Sequence, residues 1–122
     1  MLRVDHIGIS ARHPEEAARF LAEILGLGRP RPDGPDQDMF AVDVGDGVTL
    51  LFAFSDAITP QHVAFRLDAN SFDDAVQRLV ARGLSFGNDP EQLGNMRSGD
   101  PLGGHGRAYF VDPSGHLFEI CS

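Results

Sequence analysis

Three side chains in this sequence are of the types a divalent metal takes, and they sit at related places. His6 stands in Asp5-His6-Ile7-Gly8-Ile9 and His62 in Gln61-His62-Val63-Ala64-Phe65. Glu119 falls near the end of Asp112-Pro113-Ser114-Gly115-His116-Leu117-Phe118-Glu119-Ile120. Two imidazoles and a carboxylate are the donor set of an ion that keeps coordination positions open for a substrate. A carboxylate inside an apolar terminal run is costly to bury unpaired, and a metal is its simplest partner.

Convergence depends on the elements that carry them. Residues 3–10 alternate as a strand. Pro14-Glu15-Glu16 then opens a helix, with His13 at its start. Its apolar stripe is Ala17, Phe20, Leu21, Ile24 and Leu25, and Gly26 stops it. After a Pro- and Asp-rich loop, strands are expected over 39–44 and 48–54, joined by Gly45-Asp46-Gly47. The second half repeats this order. Residues 62–67 alternate, and Ser71 with Asp74 forms a capping-box pattern. Phe72, Ala75, Val76, Leu79 and Val80 make a stripe running to Gly83. An irregular segment, 86–106, leads to a strand pair over 107–111 and 116–121. Aligning Gly47 with Gly115 places Ala41 opposite Tyr109 and Leu51 opposite Glu119. The reading is α+β: one domain of two βαβββ modules, about 1–56 and 59–122, with the less visible strands expected near 27–31 and 84–88.

Strand parity sorts the faces. Ile7, Ile9, Phe40, Val42, Leu50, Phe52, Val63, Phe65, Phe110, Phe118 and Ile120 take the helix side. His6, Thr49, Leu51, His62, Arg66, Arg107, Tyr109, Glu119 and Cys121 take the other. All three metal-ligand candidates and the only tyrosine share that second face.

The totals narrow the function. A net charge of −8 leaves no basic stripe for nucleic acid and disfavours anionic membranes. No apolar run has spanning length, the first residues do not read as a signal peptide, and the single Cys121 suits a reducing cytoplasm.

The segments Asp5-His6-Ile7-Gly8-Ile9, Gln61-His62-Val63-Ala64-Phe65 and Tyr109-Phe110-Val111-Asp112-Pro113-Ser114-Gly115-His116-Leu117-Phe118-Glu119 resemble the vicinal oxygen chelate superfamily, which includes glyoxalases, extradiol dioxygenases, bleomycin-resistance proteins, fosfomycin-resistance thiol transferases and methylmalonyl-CoA epimerases. The resemblance implies a glyoxalase-like fold: paired βαβββ modules in a curved mixed sheet around a metal and substrate cup. It implies His6, His62 and Glu119 as metal ligands, a small-molecule substrate bound through vicinal oxygens, and a homodimer whose sites draw residues from both subunits. Leu51 stands where glyoxalase-type sites carry a further glutamate. Three protein ligands then favour Fe(II) or Mn(II), with Zn(II) or Ni(II) as alternatives, and a dioxygenase-like reaction over an isomerase. A metal-free drug-binding protein of the bleomycin-resistance type, a glyoxalase or lyase, and a thiol transferase are the competing readings.

The remaining residues fill out the expected site. Tyr109 and His105 are the candidates for proton handling. Arg66 and Arg107 are placed to hold an anionic substrate group, a salt bridge to Asp43 being the competing use of either. Leu51 and Thr49 are expected to line the substrate position. His116 reads as structural and Cys121 as a small apolar filler. Specificity is expected to rest on the loops 29–38 and 86–106.

Overall fold

The computed structural model describes all 122 residues. They fall into two units, Met1–Thr59 and Pro60–Ser122, each built as a small sheet with one helix.

In the first unit the chain runs β1 (His6–Ala11), α1 (Pro14–Leu25), β2 (Arg31–Asp33), β3 (Met39–Gly45) and β4 (Val48–Phe54). Helix α1 begins where Pro14 supplies the fixed φ of a first turn, and ends where Gly26 turns left-handed at φ 68°. It buries Ala17, Ala18, Leu21, Ala22, Ile24 and Leu25 against β1, β3 and β4. The strands lie in the order β1-β4-β3-β2, with β1 parallel to β4 and the other pairs antiparallel. Ile9, Val42, Leu50 and Phe52 form the buried side of this sheet, as parity requires. Ile7 does not join them. It is 38% exposed, because it lies early on a strand at the open edge. The turn between β3 and β4 takes three successive left-handed residues, Gly45, Asp46 and Gly47.

The second unit repeats the plan with β5 (His62–Arg66), α2 (Ala69–Ala81), β6 (Arg107–Val111) and β7 (Leu117–Cys121). Its order is β5-β7-β6, again parallel then antiparallel. Phe65, Phe118 and Phe110 stack in sequence across one face, centroids about 6 Å apart, with Ile120 and Ala108 buried beside them. Helix α2 adds Phe72, Ala75 and Leu79 to the core.

Three local expectations are corrected. Ser71 does not cap α2. Asp68 does, its carboxylate accepting the Ser71 N–H at 2.8 Å, so the helix starts earlier and Ser71 lies inside it. The strand expected near 27–31 forms at Arg31–Asp33, after Pro30, pairing Arg31 with Ala41. The strand expected near 84–88 shrinks to one bridge, in which Gly87 and Tyr109 exchange both backbone hydrogen bonds. A side chain at Gly87 would collide with the Gln92 carbonyl, so the chain passes there without room for an ordinary strand residue. The architecture is thus α+β, two βαβββ modules of the glyoxalase-like kind, the second with its second strand reduced to that bridge.

Candidate functional site

The repeat is kept residue by residue in the strand registers. His6 pairs with Thr49 and Gly8 with Leu51 in one sheet; His62 pairs with Leu117 and Ala64 with Glu119 in the other. Likewise Ala41 pairs with Leu51, and Tyr109 with Glu119. Each histidine therefore stands at the same place in its module, two residues along from the position that holds Leu51 in one and Glu119 in the other.

In the second unit four of the expected residues meet. His62 Nε2 lies 2.8 Å from Glu119 Oε1. Arg107 Nη1 donates to Glu119 Oε2, and Arg107 Nε donates to Asp100 Oδ1 at 2.9 Å. The His62 ring tilts against Tyr109, centroids 6.1 Å apart. Burial grades along this row: the side chains of Asp100, Glu119 and Arg107 are 5%, 9% and 13% exposed, while His62 is half exposed at 50%. The row thus opens to solvent at the imidazole.

The electrostatics follow from the geometry. The Arg107 hydrogen bond holds the Asp100 carboxyl below its ordinary range, helped by the Leu102 and Gly104 N–H groups. Asp100, then Glu119, keep the Arg107 guanidinium charged well beyond its usual limit. Burial, then the Glu119 charge, push the Tyr109 phenol up, so it remains a donor at neutral pH.

In the first unit His6 is exposed, and its Nδ1 lies 2.8 Å from Asp5 Oδ2. A carboxylate on one ring nitrogen fixes the imidazole's orientation and leaves the other nitrogen to a ligand. His6, Thr49 and Leu51 line a depression of about 300 Å³ with Asp5, Arg31, Asp33 and Gly47. Asp43 is engaged there by Arg31 at 2.8 Å and Thr49 at 3.1 Å, while Arg107 takes Asp100 and Glu119 as its carboxylates.

Other expected residues stay outside these groups. His105 Nε2 lies 2.8 Å from Asp73 on α2, and its ring meets the edge of Phe72. The segment around it is not loose. The His105 and Gly106 N–H groups both donate to the Ser122 carbonyl, and side chains at Gly104 or Gly106 would strike Asp100 or the Phe72 ring. Arg66 is exposed at the end of β5, in register with Cys121. Cys121 is buried. His116 is fully buried, its Nδ1 accepting the Gln61 N–H at 3.0 Å beside His62.

The donors suit a metal ion as far as they go. An imidazole nitrogen and a carboxylate oxygen 2.8 Å apart match neighbouring ligands each about 2.1 Å from one ion. The other oxygen of Glu119 is held by Arg107, an orienting bond of the kind ligating carboxylates have. Neither unit by itself gathers three His, Cys, Asp or Glu side chains at metal-holding spacing. Asp100 was not among the residues the sequence singled out. Its signal was there, however: an aspartate followed by Pro-Leu-Gly-Gly is a side chain poised to accept N–H groups two and four residues on.

A sequence profile of the glyoxalase/bleomycin resistance protein/dioxygenase superfamily matches residues 3–120. The chain belongs to this superfamily. Within it, the solved structure of Oxidase ChaP-H2 is 36% identical with a TM-score of 0.88, covering 99% of this chain and 93% of its own. Oxidase ChaP-H1 is 34% identical with a TM-score of 0.90, covering 100% and 96%. TnmS3, an antibiotic binding protein from Streptomyces sp. CB03234, shares the fold at 18% identity and a TM-score of 0.68, over 99% and 95%. No curated protein matches the chain.

Proposed function

We propose that this chain is a divalent-metal-dependent oxidoreductase of the superfamily, acting on a small substrate bound through two neighbouring oxygens. One observation carries the reading: His62 Nε2 and Glu119 Oε1 stand 2.8 Å apart at the solvent end of a buried charged row, beside Tyr109. Whole-length likeness to two proteins named oxidases, at 34% and 36% identity, supports the oxidative class.

In this reading His6 completes the ligand set, from its own chain or from a partner subunit in a homodimer. Fe(II) or Mn(II) suits two imidazoles and a carboxylate best, ahead of Zn(II) or Ni(II). When bound, the metal supplies Lewis acidity to the chelated oxygens and, as Fe(II), access to O₂ chemistry. Arg107 keeps Glu119 in one orientation. Tyr109, still protonated at neutral pH, donates a hydrogen bond to a substrate oxygen. Thr49 and Leu51 shape the wall beside His6, and Arg66 offers an exposed cation to an anionic substrate group. Arg107 faces the substrate from between Asp100 and Glu119, and His105, held by Asp73, is the second group for proton handling.

Metal analysis after chelator-free purification tests this. Wild type is expected to retain or rebind close to one equivalent of Fe(II) or Mn(II), and His62→Ala and Glu119→Gln to lose it. Less than about 0.2 equivalents with no rebinding overturns the enzyme reading. A metal-free binding protein for cationic small molecules is the second reading, favoured by the net charge of −8. It predicts binding of a cationic ligand that chelator leaves unchanged.

A further inference from the structure

We infer that Asp100 is a positioning residue that, through Arg107, keeps Glu119 able to accept a cation. The inference rests on the reading of Glu119 as a metal ligand. An arginine paired one-to-one with a buried carboxylate neutralises it and competes with any other cation for its oxygens. Arg107 is not paired in that way. It is shared between Asp100 Oδ1, through Nε, and Glu119 Oε2, through Nη1. Two carboxylates against one guanidinium leave one net negative charge on three side chains that are each at most 13% exposed. That charge faces outward at Glu119 Oε1, towards His62.

Asp100 can do this because it is fixed independently of Arg107. Its Oδ1 also accepts the Leu102 N–H at 2.9 Å, and its Oδ2 accepts the Gly104 N–H at 3.0 Å. A side chain at residue 104 would meet Oδ2 and the Ser122 carbonyl, so glycine there permits the close approach. The same turn supplies Pro101 and Leu102 to the wall of a pocket of about 280 Å³ that Arg107 and Tyr109 also line. One carboxylate therefore sets both the pocket wall and the state of Glu119.

The test uses the whole chain and two readouts. Mn(II) titration by calorimetry is expected to show binding weakened about tenfold or more in Asp100→Asn. In the double variant Asp100→Asn/Arg107→Gln, which removes the competing guanidinium but keeps an N–H donor for Glu119, affinity should rise clearly above that of the single variant. A residue that only supported the fold would not be rescued by a second lesion. In the metal-free protein, Asp100→Asn should speed hydrogen exchange at the Arg107 Nε–H, which the Asp100 carboxylate accepts, while the Leu102 amide stays protected by the retained Oδ1. Unchanged Mn(II) affinity in Asp100→Asn, or a double variant weaker than the single, overturns the inference. Should wild type itself bind no Mn(II), the metal reading falls. The exchange readout then decides the positioning role, unchanged rates overturning it.

Discussion

A guanidinium between two carboxylates with little water around it is hard to replace. Arg107→Met would leave Asp100 and Glu119 nearly buried without their shared cation. We expect a clear loss of stability in urea unfolding, larger than for an exposed pair. Arg19→Ala, which breaks an exposed pair with Glu15, should cost about 0.5 kcal/mol or less in the same measurement. The sequence made Arg107 a holder of substrate anions without revealing the two carboxylates that engage it. Parity put the residue on the correct face of β6. What it pairs with, however, is decided by a loop aspartate seven residues earlier, and no periodicity reports on a loop. His62 and Glu119 were legible for the opposite reason: both lie on strands, where alternation and register fix which side chains can meet.

Elements bounded by local chemistry were the easiest to read. Helix α1 runs from Pro14 to Leu25 as proline and glycine punctuation requires. Helix α2 was read from its stripe, but its start was misplaced because Asp68 and Ser71 both suit a cap, and only the hydrogen bond chooses between them. That cap has a pH signature. The Ser71 N–H holds the Asp68 carboxyl below its ordinary value of 3.8, so its contribution is full above that pH and fades as acid protonates it. Asp68→Ala should therefore lower the thermal midpoint at neutral pH, and the gap to wild type should close in acid. Asp112 works in the other direction. Burial raises its carboxyl, so its contribution is present in acid and lost as pH rises through the folded value. The segment 86–106 resisted reading because close backbone passage shapes it, as at Gly87 and Gly106. Gly106→Ala would drive a methyl into the Phe72 ring, and we expect a cost of about 1–3 kcal/mol by chemical denaturation.

For the molecule as a whole, the duplicated histidine segments carried the superfamily assignment directly from the sequence, and no helix is long and apolar enough to cross a membrane. A site shared between subunits has its own test. His6→Ala and Glu119→Ala parents should each bind Mn(II) poorly. After demonstrated subunit exchange, an equal mixture should recover about a quarter of wild-type occupancy, since half the dimers carry one intact site of two. No recovery would place all three ligands in one chain.

The matched registers also say where such a molecule can change. Leu51 and Glu119 occupy the same node of two equivalent lattices, each opposite a small or aromatic residue on the neighbouring strand and beside a glycine or alanine on the parallel one. The backbone that seats a leucine in one half seats a carboxylate in the other. Chemistry at that node is therefore separable from foldability, and a lineage or a designer can rewrite the one and leave the other standing.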